Sequence, residues 1–553
     1  MKTIHRLGVF DHGETAVRVL NAVGDLNHAR LAPAITTVLI HRDADPQPWY
    51  GREADDVQRL PGGAGPCRET DVVAALQRAM VDTLWLGAWV PGARADLIAA
   101  CEAAGIAVVG PDAATVRQLS DVQGLAGLWP PGGPLGSGVA TRRAEVDIVA
   151  DDHGTVWMLG IRDVSACRGG TALLCELPAS GLPEELAADM ARAATGIARR
   201  VGYRGAGVVG FVHDGQRFAV TGFDTAAAPV HAGTEERTGV SIIGWRLRIH
   251  QGAALPATEP AATAVAFEAR LLAGDPDTGG AVTPGRIGLL SFPVGAGVRI
   301  DASRRVGDRV DDADPLLAVV TACGPDRRLA LGRLRRALQR TAVVIDGGAC
   351  NRSLLLELLE RADFGDGPVD DRWLDGVLAR RTRAAVEPVV LLAAAVEAYE
   401  ADHALAKEAF FAAAARGRPE QPAAVGAGIV LAYGGLSYTL DVDRVGPRDY
   451  SVRHGSLHAD LSVDALGACE RRITCGGHRH RLLAAATGAG WRIETDGGAH
   501  RVEREDGMVV RAGWPALVVA VHVQPGMTVA AGDPIAVLES MKMETTVGAP
   551  MAG

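Results

Sequence analysis

The first third of the chain alternates short apolar runs with stretches of helical periodicity. Residues 7–10, 35–40, 83–88 and 106–109 are apolar runs of strand length, whereas 14–22 and 93–104 have the pattern of amphipathic helices. This alternation predicts a parallel sheet of the doubly wound, Rossmann-like type. A proline- and glycine-rich stretch, 130–138, interrupts the pattern. Further on, 325–340 and 353–361 read as amphipathic helices, and 383–416, rich in Ala, Leu and Glu, as a largely helical segment. From 429 to 501 the period changes: 429–433, 438–442 and 491–494 are short strand-like runs between Gly-Gly and Asp-Gly turns. The final segment reads as three strands, 515–523, 527–529 and 535–538, separated by turns at 524–526 and 531–534. The first of these, β-branched and apolar, is expected to be buried or half-buried.

A chain of 553 residues holds several domains, each with an ample core. Its net charge of −10 supplies no electrostatic reason to expect a nucleic-acid partner. The start of the chain lacks the apolar core of a signal peptide, and no uncharged stretch is long enough to span a bilayer. The apolar run 389–396 is flanked by Glu387, Glu397 and Glu400. Eight scattered cysteines fit reduced thiols. These features predict a soluble, cytoplasmic protein with no membrane partner. Cys469, Cys475, His478 and His480 lack the spacing of a zinc framework, and no metal site is expected there.

Lysine changes the picture. Only Lys2, Lys407 and Lys542 are present, and arginine carries almost all the positive charge. Lys542 lies in Glu539-Ser540-Met541-Lys542-Met543-Glu544-Thr545, at the tip of the last strand-like stretch. A guanidinium stays protonated and cannot be usefully acylated, so an attachment residue is the one position where arginine cannot replace lysine. The motif, formed by Glu539, Ser540, Met541, Met543 and Glu544 around the amine, resembles the biotin attachment site of biotin carboxyl carrier domains. The resemblance implies biotin bound covalently to Lys542 by a biotin protein ligase. A lipoyl carrier shares the outline, but its lysine usually follows an aspartate and lacks both methionines.

Other segments extend the resemblance to biotin-dependent acyl-CoA carboxylases, of the α-subunit or fused single-chain type. Residues 9–19 and 100–111 resemble the opening and closing segments of the first biotin carboxylase domain; 267–270, 275–276 and 284–287 resemble its C-terminal domain. The implied fold is multidomain α/β. A Rossmann-like N-terminal domain (1–122) is followed by a Pro/Gly linker (123–141) in place of the ATP-grasp lid, a truncated ATP-grasp remnant (142–254) and an α+β carboxylase C-terminal domain (255–380). A helix plus antiparallel β-barrel (381–505), which docks the carboxyltransferase, then leads to the first half of a flattened β-barrel biotinyl domain (506–553). An open half-barrel exposes apolar edges. It implies either a longer native protein or a carrier segment that is disordered after Glu505.

The family's catalytic positions are altered. Val122 stands at a nucleotide-binding lysine, and Cys167 and Gly170 at a glutamine and a histidine that hold substrate. Gly210 and Gly222 occupy the places of two magnesium-binding glutamates, Ala226 that of a catalytic arginine and Val230 that of the glutamate base. Arg270 keeps the family's substrate-binding arginine. Magnesium needs oxygen ligands, and glycine and valine side chains offer none, so ATP and Mg²⁺ use is doubtful. Three readings follow. The chain is the carrier and scaffold of an acyl-CoA carboxylase of the ligase class, in fatty-acid-type metabolism, as an oligomer with a carboxyltransferase and an active biotin carboxylase in trans. Alternatively it is an active carboxylase whose lid is absent from this version of the chain. The third reading is a non-catalytic pseudoenzyme occupying such an assembly.

Overall fold

The computed structural model describes residues 3–549 except 30–33, 43–47, 61–66, 88–93, 122–139, 227–231, 277–279, 312–313, 381–385, 416, 418–425, 489, 496–497, 506–509, 511–515, 525, 531 and 541–542. They fall into two compact units, Met1–Thr382 and Arg383–Gly553.

Unit 1 opens with a five-stranded sheet of β1 (Arg6–Phe10), β2 (Thr36–Arg42), β3 (Asp56–Leu60), β4 (Thr83–Leu86) and β5 (Ala107–Val108), in the order β3-β2-β1-β4-β5 and paired in parallel. Its helices are α1 (Gly13–His28), α2 (Glu69–Arg78), α3 (Arg94–Ala103) and α4 (Ala113–Ser120). The doubly wound expectation holds. The expected helix at 14–22 extends to His28, because Val23 and Leu26 continue its buried face. Asp112 caps α4 by accepting from the Thr115 N–H at 2.8 Å, meeting one of the donors a helix start leaves unpaired.

An eight-stranded sheet follows, in the order β12-β11-β6-β7-β10-β13-β17-β15. It contains β6 (Arg142–Ala150), β7 (Val156–Asp163), β10 (Leu174–Leu177), β11 (Gly205–His213), β12 (Phe218–Asp224), β13 (Val265–Leu272), β15 (Val298–Ala302) and β17 (Leu316–Gly324). A small hairpin, β8 (Cys167–Arg168) with β9 (Thr171–Ala172), stands apart, as does the sheet β16-β14-β18 of Arg309–Val310, Gly285–Ser291 and Ala342–Asp346. The helices are α5 (Glu184–Arg200), α6 (Ala232–Thr238), α7 (Ile242–His250), α8 (Arg327–Arg340), α9 (Arg352–Glu360), α10 (Ala362–Gly365) and α11 (Trp373–Arg380). All nine residues of β17 are buried. Its continuous run of Leu, Ala and Val is what a central strand covered on both faces requires.

In unit 2, α12 (Pro388–Ala415) precedes eight antiparallel strands, β19 to β26, spanning Ala427–Tyr433 to Ala499–Arg504, which close into a barrel. The first half of α12 buries Val390, Ala393, Ala394, Ala395, Val396 and Ala398 in one core with barrel residues such as Ile429, Leu431, Ile493 and Val502. The helix packs against seven of the eight barrel strands, so its first half occupies the barrel's interior.

The carrier segment is a three-stranded antiparallel sheet of β27 (Leu517–Val521), β28 (Pro534–Ser540) and β29 (Met543–Gly548). Its described part is folded, which leaves the first of the two alternatives for this segment, a longer native protein, untouched and does not bear out the second, disorder after Glu505. Two further expectations fail here. Residues 527–529 form no strand; they lie between turns at Gly526 (φ 85°) and Gly532 (φ 90°), a span too short to carry a ladder. The first strand is not buried: Leu517, Val518, Val519 and Val521 are 68%, 57%, 46% and 63% exposed. A single three-stranded sheet has no second layer to cover that side. Among the described residues no helix is long and apolar enough to cross a membrane.

Candidate functional site

Two places carry the expected chemistry: the middle of the eight-stranded sheet and the β28–β29 hairpin. In the sheet, antiparallel pairing of β11 with β12 sets Gly210 directly opposite Gly222. Directly opposed residues on adjacent strands project from the same face with their Cβ positions about 5 Å apart. Two carboxylates at these positions would converge on one cation; here two hydrogens do. A Cβ on Gly210 would meet the Thr221 hydroxyl at 2.7 Å, so that side chain already fills the vacated space, whereas a Cβ on Gly222 meets nothing within 4 Å. Ala226 follows β12, with its N–H donated to Asp224 at 2.8 Å and its carbonyl accepting from Arg246 at 3.1 Å. Gly170 lies in the turn of the β8–β9 hairpin at φ 82°, a conformation that disfavours any larger residue. Cys167, on β8, is buried among Val164, Ala172 and Cys175, and burial pushes its thiol pKa up. Val122 and Val230 lie outside the described residues.

Charge is nevertheless concentrated beside these positions. Glu145 and Asp147 alternate along β6 with Ala144, Val146 and Ile148, which places both carboxylates on one face. Across from Glu145 on β7 is Arg162, fully buried. Its guanidinium reaches Asp147 at 2.8 Å, Glu145 at 3.3 Å and Glu268 of β13 at 4.0 Å. Thr234 of α6 donates to the same Asp147 oxygen, and the Gly233 N–H donates to Glu268 at 2.6 Å. Burial alone would lower the Arg162 pKa, but Asp147, Glu268 and Glu145 together outweigh it and raise the value. Burial likewise raises the Glu145 pKa, against the pull of Arg162. Arg270, two residues beyond Glu268 on the same face of β13, is half-buried and lies within electrostatic reach of Glu145 and Cys175.

These acids and bases pair with one another, although the Arg162 Nε–H has no hydrogen-bond acceptor among the described residues. Three carboxylates are already engaged by Arg162, and no lysine occurs between Lys2 and Lys407. Among the described residues no three His, Cys, Asp or Glu side chains are grouped to hold a metal ion. A magnesium ion held by side chains at 210 and 222 therefore does not fit this sheet. The sequence reading passed over Arg162 as a centre. Its signal was a charged residue at an inward position of a strand, opposite two others in a neighbouring strand.

At the hairpin, Ser540 pairs with Met543 and Glu539 with Glu544. Met541 and Lys542, the two residues between the strands, lie outside the described residues. Met543 is 70% exposed, a large apolar side chain left in water beside the lysine. Directly opposed Glu539 and Glu544 are a like-charge pair that a hairpin selected for stability alone would avoid.

Comparison with known proteins finds four family matches along the chain. Residues 3–116 match the biotin carboxylase N-terminal domain, 139–258 the carbamoyl-phosphate synthase L chain ATP-binding domain, 268–376 the biotin carboxylase C-terminal domain and 504–553 the biotin-requiring enzyme domain. The chain thus carries matches to the three domains of a biotin carboxylase and to a biotin-requiring domain, in that order along the sequence. It is 32% identical over 269 residues to the mitochondrial propionyl-CoA carboxylase alpha chain of Caenorhabditis briggsae, covering 46% of this chain and 36% of that one. The chain thus spans about a third of the length of such relatives at that level of identity. With the mitochondrial methylcrotonoyl-CoA carboxylase subunit alpha of Oryza sativa subsp. japonica, identity is 25% over 688 aligned positions, 100% of this chain and 91% of that one. That alignment is longer than the 553 residues here, so the relative has stretches without a counterpart in this chain. Among solved structures, the complete multifunctional pyruvate carboxylase of Rhizobium etli superposes with a TM-score of 0.62 at 25% identity, covering 69% of this chain and 42% of that one.

Proposed function

We propose that this chain is the carrier and scaffold of a biotin-dependent acyl-CoA carboxylase, and that its own ATP-driven carboxylation of biotin has been lost. The observation that carries this reading is the facing pair Gly210 and Gly222, where the family places carboxylates for a metal. Phosphoryl transfer from ATP rests on positioning and charge neutralisation, and a site whose carboxylates are consumed by Arg162 supplies neither. The stretches of the rice relative that find no counterpart here agree with a missing lid. In this reading Val122, Cys167, Gly170, Ala226 and Val230 are lost catalytic positions, and Arg270 is retained for binding.

Biotin on Lys542 would carry a carboxyl group between two active sites. The tether raises its effective concentration at each, so neither site needs to bind it tightly. The implied partners are a biotin protein ligase, a carboxyltransferase docked on the barrel unit and an active biotin carboxylase in trans, in an oligomeric cytoplasmic assembly. The domain division at 122, 141, 254, 380 and 505 belongs to this proposal.

The native chain should be retained by streptavidin, and Lys542→Arg should abolish retention without altering the thermal unfolding of either unit. Purified alone, the biotinylated chain should show no ATP hydrolysis dependent on biotin and bicarbonate. With an active biotin carboxylase and a carboxyltransferase it should pass label from ¹⁴C-bicarbonate to an acyl-CoA. Bicarbonate-dependent ATP turnover by the chain alone would defeat the proposal, and absence of transfer in the reconstituted system would leave only a non-catalytic role.

A further inference from the structure

A cavity of about 540 Å³ lies between α1 and the strand β15 with its following loop, away from the Arg162 cluster. That volume is within the range of small-molecule sites. One side carries the apolar Leu290, Phe292 and Ile300, with Asp301 beside them, its carboxylate already paired with Arg299 at 2.9 Å. The other presents buried polar groups from α1. Arg18 and Glu14 are only 7% and 3% exposed, and both line the cavity. The Arg18 guanidinium donates through Nη2 to Glu235 at 2.8 Å, but its buried Nε–H has no hydrogen-bond acceptor among the described residues. An unmet buried donor is destabilising, and a ligand acceptor would recover that loss. Glu14 has no cation within ion-pairing distance among the described residues; the Thr15 hydroxyl, donating at 3.3 Å, is its side-chain partner.

At the mouth, the Arg305 guanidinium stacks on the Trp49 ring at 3.5 Å and makes no ion pair among the described residues. Nearby Arg304 is paired with Asp314 at 2.5 Å. Arg305 is therefore a positive charge held in place by an aromatic face rather than by a carboxylate. Unmet Arg18 donor, uncommitted Arg305 cation and apolar wall together define a ligand with a carboxylate at one end and an apolar body at the other.

We infer that this cavity binds a small apolar-bodied monocarboxylate, at a site distinct from the biotin hairpin and lined by none of the residues of the Arg162 cluster, although β15 is the far edge strand of the same sheet. Its carboxylate would accept from Arg18 Nε and face Arg305, and its body would lie against Leu290, Phe292 and Ile300. The probe is 2-naphthoate, titrated calorimetrically into the full-length chain, with 2-naphthalenemethanol as the uncharged isostere. Saturable binding at one site per chain is expected, weakened about tenfold or more in the alcohol and in Arg305→Ala, the worth of one good charge interaction. Two cavity-filling variants on opposite walls, Val17→Trp and Leu290→Trp, should each lose binding; circular dichroism identifies whichever of them retains the fold. No saturable heat with the wild-type chain would overturn the inference. So would equal affinity for acid and alcohol, or undiminished binding in a folded filling variant.

Discussion

Arg162 illustrates what a charge needs once it leaves water. Its guanidinium is fully buried, and three carboxylates from two other strands surround it. Removing one member of such a group strands the others, which costs about 3–5 kcal/mol for a buried pair. Arg162→Met should therefore lower the urea stability of unit 1 by that amount, whereas Glu145→Gln, at a carboxylate 27% exposed, should cost far less. Burial also pushes the Glu14 pKa from 4.5 up to about 7, with neighbouring Asp11 raising it further, and burial pushes Asp11 itself up to about 6. A carboxyl with a raised folded pKa holds its proton more tightly in the native state. Its contribution is complete below the unfolded pKa near 4.5 and is lost as pH climbs through about 7. Wild-type stability should fall between pH 5 and 8 relative to Glu14→Gln, by on the order of 3 kcal/mol. Parallel urea midpoints for the two proteins across that range would contradict the assignment. At this scale Lys542 was legible because lysine is nearly absent elsewhere; Arg162 was hidden among the arginines.

At the scale of elements, periodicity served best where an element has one buried face. The strands expected at 7–10, 35–40, 83–88 and 106–109 and the helix at 93–104 match β1, β2, β4, β5 and α3 to within two residues, whereas β3 and α2 had no expected counterpart. Residues 383–416 read as helix from composition, but nothing in them announced that a barrel would close round the first half. The small residues Ala393, Ala394, Ala395 and Ala398 are what allow it: with side chains of one carbon the helix fits inside. Ala394→Leu, at a fully buried position, adds three carbons to a filled interior. It should destabilise unit 2 by at least the 1–3 kcal/mol typical of overpacking, read from its thermal transition. The carrier shows the opposite failure. Residues 515–523 have the composition of a core strand, yet β27 is exposed, because composition cannot say whether a covering layer exists.

For the whole molecule, the division at Thr382/Arg383 separates two bodies with independent cores. The boundary region is rich in arginine, with Arg380, Arg381 and Arg383, and Arg380 is exposed. Limited trypsin digestion should therefore release fragments near 1–380 and 384–553 before either unit is degraded, and calorimetry should show two transitions. A single cooperative transition with no early cut in this region would argue that the units are energetically fused. The amino-acid sequence by itself determined the Met541-Lys542-Met543 motif, the order of the family matches and the absence of carboxylates at 210 and 222, because each depends on residue identity at a position. Only the tertiary structure decided that those two glycines face one another, that Arg162 consumes the remaining acids, and that α1 and β15 enclose a cavity. These are contacts between residues far apart in the chain, and local pattern carries no distance between strands that register and packing have yet to bring together.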